Sequence, residues 1–392
     1  MEFVFSADDE AFRKEVKDFY NSELPRDWYG GYDEMDTHHE FIRTVRRKLA
    51  ARGWLTMSWP KEYGGQDAPQ SRQLIFAEES AYYRFHARDA GVGYLGPAIM
   101  RHGTEEQKRR LLGPISKAEI EFHQGFSEPN AGSDLAGLTT RAWRDGDDFV
   151  IEGQKVWGGH VNIAEYSFLL ARTNPDVPKH KGISMFVIPA KTPGLKYEVF
   201  GNLAGGRQNL VYYDKCRAPA RESLIGEQDQ GWYIATTLLN HERTVVEHAA
   251  SGRRFLEEIV QFWHEKGRQN RNDAPNQVVR HKLAQVAIEI EVCRTLAYRI
   301  GWLQSKGEQP TFEASEVKIF GSEMTQRFAH VVGTMLGLYA QVDRTTTQRE
   351  YVFLSGRGEH LIRQQPMFSL IGGANEIQRN LIAGRGLGLP RN

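Results

Sequence analysis

The sequence predicts a multi-domain α+β protein in which helices come first, a β domain follows and a helical bundle ends the chain. Three observations predict this order. Apolar residues recur at helical spacing up to about residue 121, short β-rich runs separated by turn residues fill 122–230, and the helical period returns over 231–392. A chain of 392 residues can bury the cores of two or three packed units.

In "SADDEAFRKEVKDFY", Ser6 is placed to cap a helix whose Phe12, Val16, Phe19 and Tyr20 share one face. "HHEFIRTVRRKLAARG" repeats the pattern with Phe41, Val45 and Leu49, and Gly53 stops it. The runs "TTRAWR", "FVIEGQKVW", "YSFLLART", "GISMFVIPA" and "NLVYYDKC" read as strands. After "GEQDQGW", a stripe of Val279, Leu283, Val286 and Ile290 marks one long helix, and "FEASEVKIFGSEMTQRFAHVVGTMLG" marks another.

Fifty basic residues balance fifty acidic ones, so no global field favours nucleic acid or an anionic membrane. The two cysteines, Cys216 and Cys293, form no metal or redox spacing, which suits a reducing, cytoplasmic setting. The acidic start lacks the apolar core of a secretory or transit peptide. No apolar run approaches the roughly 20 residues of a membrane span.

"GVGYLG" matches a dinucleotide fingerprint on paper, but its context is helical and Pro97 follows, so a loop between helices is expected. The histidines of "THHE" and "NHERTVVEH" lack a zincin spacing, and no metal site is expected. "FSEPNAGSDLAG" is a loop rich in free N–H groups and hydroxyls, able to cradle a polar ring edge or a phosphate, or to be only a turn. "GQKVWGGH" puts Trp157 beside two glycines, where a large flat ligand could lie against the backbone; an ordinary core aromatic is the alternative. In "TLLNHERTVVEHAASG", read as a helix, Glu242 shares a face with Leu238, Leu239, Val245, Val246 and Ala249, while Arg243, Glu247, Arg254 and Glu257 fall on other faces. Such a carboxylate is either a member of a buried polar network or a catalytic group in a ligand pocket.

"GWLTMSWPKEYGG", "HGTEEQKRRLLGPI", "FSEPNAGSDLAGL", "GQKVW", "LLARTNP", "GEQDQGW", "HER" and "GGANEIQRNLIAGRGLGLP" stand in an order and spacing that resembles the acyl-CoA dehydrogenases over nearly the whole chain. The resemblance implies an N-terminal helical domain (1–121), a central β-barrel-like domain (122–230) and a C-terminal four-helix bundle (231–392), with FAD at a dimer interface, usually within a homotetramer. It also implies an acyl-CoA substrate and an electron-transferring flavoprotein or similar acceptor.

Carried over by resemblance, Phe126 and Ser127 meet the flavin pyrimidine and Ser133 lies near the CoA pantetheine or the flavin phosphates. Trp157 stands against the isoalloxazine, with Gly159 beside N5. Arg268 and Gln277 reach the ADP part of the neighbouring subunit's FAD, Gly337 lies beside them, and Asn375 and Glu376 open the last helix. An Asn-x-x-Gln cap of Asn375 and Gln378 is expected there, with free N–H donors toward FAD. Gly372 and Gly373 offer backbone donors to the thioester carbonyl, and Arg243 helps bind substrate or brace that loop.

Three positions depart from the usual family pattern. Many members keep their base where Gly372 stands; a subgroup that includes isovaleryl-CoA dehydrogenase keeps it at the position of Glu242, which is therefore the expected base. Gly159 replaces a Ser or Thr that donates to flavin N5. "KGRQNRNDAPNQ" lacks the usual aromatic and glycine of the partner-subunit segment. The expected activity is FAD-dependent α,β-dehydrogenation of an acyl-CoA. The alternatives are a flavin monooxygenase or oxidase on the same fold, and a non-catalytic subunit of a hetero-oligomer.

Overall fold

The computed structural model describes residues 4–30, 35–241, 246–269 and 277–390; the side chains of 35–37, 237–241 and 266–269 also lie outside the description. Helix α1 (Ala7–Glu23) starts as its sequence predicts: the Ser6 hydroxyl accepts from the Asp9 N–H at 3.1 Å and the Asp9 carboxylate accepts from the Ser6 N–H. Its Phe12, Val16, Phe19 and Tyr20 are all buried. Helices α2 (Met35–Ala51), α3 (Gln70–Tyr82), α4 (Gly96–His102) and α5 (Glu105–Ser116) complete the first unit. Gly53, at φ +70°, follows α2 in the left-handed conformation that ends it.

"GVGYLG" is not the expected loop. Gly91–Leu95 forms one π-helical turn that runs directly into α4, with Pro97 in the first turn, where a missing N–H costs nothing.

The strands are β1 (Phe122–Gly125), β2 (Arg141–Asp145), β3 (Asp148–Gly158), β4 (Tyr166–Arg172), β5 (Ile183–Pro189), β6 (Leu195–Gly201) and β7 (Arg207–Pro219). A short α6 (Ala220–Ser223) and β8 (Leu224–Ile225) close this unit. They build one eight-stranded sheet in the order β6-β7-β3-β2-β4-β5-β8, with β1 parallel to β4. Side-chain alternation decides what each face covers. On β4, Phe168 and Leu170 pack into the core shared with the N-terminal helices, while Leu169 and Ala171 join the sheet's own core. On β5, Met185 and Val187 face the helices and Phe186 and Ile188 face inward. Phe149 of β3 meets Phe186 of β5 at 5.0 Å although two strands separate them, so the sheet curls over its inner face. The runs read as strands from the sequence leave out β1, β6 and β8; β6 alternates Leu195, Tyr197 and Val199 with Lys196 and Glu198, but it lies at the sheet edge with Tyr197 and Val199 exposed.

The third unit holds α7 (Gly231–His241), α8 (Val246–Gln269), α9 (Gln277–Ser305), α10 (Glu313–Leu336), α11 (Arg357–Phe368) and α12 (Asn375–Leu381). Val279, Val286 and Ile290 are buried as their spacing predicts, and Val286 and Ile290 pack with Val317, Phe328 and Val332 of α10. Helix α3 belongs to this core too, through Leu74 and Ala77. A buried network ties the units: Glu78 of α3 accepts from Arg13 at 2.6 Å, Arg294 at 2.7 Å and Tyr298 at 2.7 Å. Arg84 grips Glu258 of α8 through two bonds at 2.8 and 2.7 Å. No helix among the described residues is long and apolar enough to cross a membrane.

Candidate functional site

The 126–137 loop is pinned to β3 by charge. Glu128 is buried against Lys155 at 2.8 Å and accepts from the Thr139 N–H at 2.7 Å and the Thr140 N–H at 2.8 Å. Burial alone would raise the Glu128 carboxyl, but the Lys155 charge and these donors hold it down to about 2. For Lys155 desolvation wins, drawing the ammonium down to about 8 against the pull of Glu128. The pair is ionised at neutral pH. Lys155 also donates to the Phe126 carbonyl at 3.1 Å, and the Val156 N–H donates to the Ser127 carbonyl at 2.9 Å. The loop residues Phe126 and Ser127 are thereby fixed beside the end of β3, while Ser133 stands exposed farther along.

That strand end is distorted. Its register shifts between Val156 and Gly158, and Trp157 adopts φ +68° with its ring 60% exposed. A bulge of this kind re-aims a side chain out of the sheet. Phe200 supports the Trp157 ring edge-on at 5.3 Å. Gly158 must be glycine, because a Cβ there would lie 2.0 Å from the His123 ring. Nothing lies within 4 Å of a Cβ placed on Gly159. His123 is buried, donates from Nδ1 to the Gly159 carbonyl at 3.2 Å, and is lowered to about 4 by burial.

The second group lies on the 369–374 loop. Gly372 (φ +65°) and Gly373 (φ +88°) are both exposed, and nothing lies within 4 Å of a Cβ on Gly372. The expected Asn375/Gln378 cap is not formed: Ala374 is the N-cap residue and makes no side-chain bond. Asn375 turns inward instead, accepting from Lys318 at 2.7 Å and donating to Ser322 at 3.0 Å, and its own N–H donates to the Ser369 carbonyl. Gln378 donates back to the Gly373 carbonyl at 3.2 Å and accepts from Ser315 at 2.7 Å. Buried amides in reach of partners on α10 satisfy those partners before a helix end. Glu376 remains exposed.

Glu242 and Arg243 lie outside the described residues, between α7 and α8; Val246 and Ala249, expected on the Glu242 face, are buried. Arg268 ends α8 with its side chain outside the description, Gln277 opens α9 exposed, and Gly337 follows α10 at φ +56°. Trp263 of α8 donates to the Met335 sulfur of α10 at 2.9 Å, which brings Arg268 and Gly337 to one end of the bundle. The structure thus gathers Phe126, Ser127, Trp157 and Gly159 into one group, and Gly372, Gly373 and Asn375 into another.

Several ionisable residues escape sequence reasoning. The inward parity of Phe149 and Ile151 on β3 extends to Lys155, so strand period could have flagged a buried lysine. Glu247, assigned to an outer helix face, retains accessible surface yet is pushed up to about 7, chiefly by burial, with the Arg88 charge opposing. His86 combines the same two properties: it has accessible surface, and burial lowers it to about 3.

The sequence pattern of the acyl-CoA dehydrogenase N-terminal domain matches residues 6–119, that of the middle domain 124–210 and that of the C-terminal domain 229–387. Acyl-CoA dehydrogenase FadE26 of Mycobacterium tuberculosis is 33% identical over 411 residues, covering 100% of this chain and 99% of that protein. The chain belongs to the acyl-CoA dehydrogenase family. The human mitochondrial short-chain specific acyl-CoA dehydrogenase is 29% identical, covering 90% of this chain and 84% of that one. Among solved structures, the Tcur3481-Tcur3483 steroid ACAD matches with a TM-score of 0.89 at 34% identity, and the ChsE4-ChsE5 complex from Mycobacterium tuberculosis with 0.88 at 31%, each covering 100% of both chains. Membership makes the protein an oxidoreductase acting on acyl-CoA with FAD as cofactor. The exposed Trp157 ring, backed by Phe200 and bordered by the open space at Gly159, fits a flat ring system.

Proposed function

We propose that this acyl-CoA dehydrogenase removes the α-proton of an acyl-CoA thioester with Glu242. FAD, when bound, accepts the hydride from the β-carbon. Phe126, Ser127, Trp157 and the Gly159 backbone hold the ring system, Arg268, Gln277 and Gly337 serve its ADP end across a subunit interface, and Ser133 serves the CoA side. The 372–373 backbone orients the thioester carbonyl, Arg243 braces that loop, and Asn375 and Glu376 carry it into α12. The observation that supports Glu242 over position 372 is chemical: position 372 is glycine, with open space and no carboxylate. Likeness to a steroid enzyme favours a bulky, polycyclic acyl group. The three-part division at 121 and 230, cytoplasmic location and transfer of electrons to an electron-transferring flavoprotein belong to the same proposal.

Glu242→Gln tests it. Removing a positioned base costs about 10²–10⁴ in rate, roughly 3–5.5 kcal/mol of barrier. The variant should keep its yellow colour but no longer be bleached by acyl-CoA; bleaching as fast as the parent would return Glu242 to a buried-network role.

A second reading is that the chain needs a different partner chain rather than a copy of itself. Its support is the altered 266–277 segment together with likeness to two structures of paired proteins. A protein that is colourless alone and yellow only with a second chain type favours this reading; FAD retained by a pure homo-oligomer removes it.

A further inference from the structure

Past Val156 the backbone of β3 leaves regular strand geometry. Its register shifts between Val156 and Gly158, and Trp157 and His160, neither of them glycine, stand in the left-handed region at φ +68° and +64°. Such residues persist only where their surroundings fix them. Two buried side chains from other strands do so. Asn209 of β7, 2% exposed, donates from Nδ2 to the Gly158 carbonyl at 2.8 Å. His123 of β1, fully buried, donates from Nδ1 to the Gly159 carbonyl at 3.2 Å.

The partners dictate both orientations. A carbonyl only accepts, so Asn209 must face Gly158 with its amide nitrogen, and His123 must carry its hydrogen on Nδ1. Each then keeps an acceptor, the Asn209 Oδ1 and the His123 Nε2, buried with no hydrogen-bond partner among the described residues. An unmatched buried acceptor is costly, and an apolar side chain of similar size would avoid it. Packing therefore does not account for these two residues; the carbonyls they hold do. A trans peptide points its N–H opposite to its C=O. With the Gly158 carbonyl turned to Asn209, the Gly159 N–H is turned away from β7. Gly159 itself has accessible surface and open space where a Cβ would stand, two residues past the exposed Trp157 ring.

We propose that Asn209 and His123 are positioning residues for the flavin: they hold the two carbonyls on either side of the Gly159 Cα so that the Gly159 N–H stands as a fixed donor to a heteroatom at the edge of the ring system beside Trp157. The inference rests on the reading of this strand end as the ring site. A glycine offers no side-chain hydroxyl and is the residue least able to hold its own backbone still. Pinning both carbonyls removes that freedom, and a main-chain donor is then set in place before the cofactor arrives. Reduction adds electron density to the ring heteroatoms, so a fixed donor stabilises the reduced form over the oxidised one.

The test measures the two-electron potential, the visible spectrum and the melting temperature of purified holoenzyme, in whichever assembly retains FAD. Asn209→Leu and His123→Leu keep bulk and remove one hydrogen bond each. In both, the reduced flavin should be held about tenfold less tightly relative to the oxidised form, a fall of about 30 mV for a two-electron couple, with a shifted spectrum. His123→Asn, whose amide nitrogen can stand in for Nδ1, should recover most of that fall. Where leucine is not tolerated, Asn209→Ala and His123→Ala serve for the same measurement. A lower melting temperature with the potential and spectrum of the parent would mean that the two residues serve folding alone, and it overturns the proposal; so does a fall in potential that His123→Asn leaves unrecovered. If the parent retains FAD and the variants keep its potential, this inference alone falls; a parent that holds no FAD in any assembly removes the reading of the ring site as well.

Discussion

The 126–137 loop and the 369–374 loop both belong to the proposed site, and they are fixed in different ways. The first is held by a buried ion pair: Glu128 gathers Lys155, Thr139 and Thr140, and Lys155 also reaches the Phe126 carbonyl. The second takes its shape from two glycines at positive φ and from neutral amides: Asn375 is anchored to α10 and Gln378 folds back on Gly373. The difference teaches how each loop should fail. A charge-pinned loop loses its fixing as a unit when one partner goes, because the other is left charged and buried. A loop shaped by backbone dihedrals should lose stability in small steps.

The sharpest test of the comparison is Lys155→Met. It leaves Glu128 buried without its counter-charge and should cost roughly 3–5 kcal/mol, read by denaturant unfolding and by loss of bound FAD. Adding Glu128→Gln should recover part of that loss, since a neutral amide is less costly to bury. If the single variant costs under about 1 kcal/mol, the usual range of an exposed pair, the loop is held by its backbone bonds and the contrast disappears. The same pair sets an acid limit. The folded Glu128 carboxyl, at about 2, lies below its ordinary value of 4.5, so its contribution is fully present above about 4.5 and is lost as pH falls toward 2. Acid unfolding of the parent should be steeper through this window than that of the Lys155→Met variant.

The second loop predicts a smaller, graded series. In Gly373→Ala the added Cβ would lie 2.5 Å from the Gln378 Nε2 at φ +88°, so strain and a displaced amide add to roughly 2–3 kcal/mol. Gly372→Ala meets open space and carries only the cost of φ +65°, about 1–2 kcal/mol. Thermal unfolding should rank the two in that order. An inverted order would mean that contacts across the loop, not dihedrals, set its shape.

These two loops were not equally legible in the sequence. Helix α1 could be read to its cap, because Ser6, Asp9 and four apolar residues at helical spacing act locally. The longer strands are legible for the same reason; β1 and β8 are too short to show a period, and the alternation of Leu195, Tyr197 and Val199 in β6 is short and ends at an exposed sheet edge. Trp157 was recognisable from its flanking glycines, but its positive φ and the bulge that exposes it arise from pairing with β7. The Asn375/Gln378 cap is the clearest failure. Spacing along the chain offers the cap, but Lys318, Ser322 and Ser315 on α10 compete for the same amides from 50 or more residues away. Helix geometry puts Glu247 on an outer face, and it is exposed there.

The smallest effect on stability is expected at Gly159, where the two groups can be compared through the cofactor rather than through folding. A Cβ at this position meets nothing within 4 Å, and the residue is not in the left-handed region. Gly159→Ser should therefore change stability by no more than about 0.5 kcal/mol. Its hydroxyl would project into the space beside Trp157, where the proposed cofactor site has only backbone donors. A donor added near the reacting nitrogen stabilises negative charge there, so the visible spectrum or the reduction rate should shift while the melting temperature does not. The Gly372→Ala variant should behave in the opposite sense, with a lower melting temperature and an unchanged flavin spectrum. If Gly159→Ser leaves both spectrum and rate as they are in the parent, the open side of Trp157 does not face the flavin, and the ring system must lie on another face of the strand end.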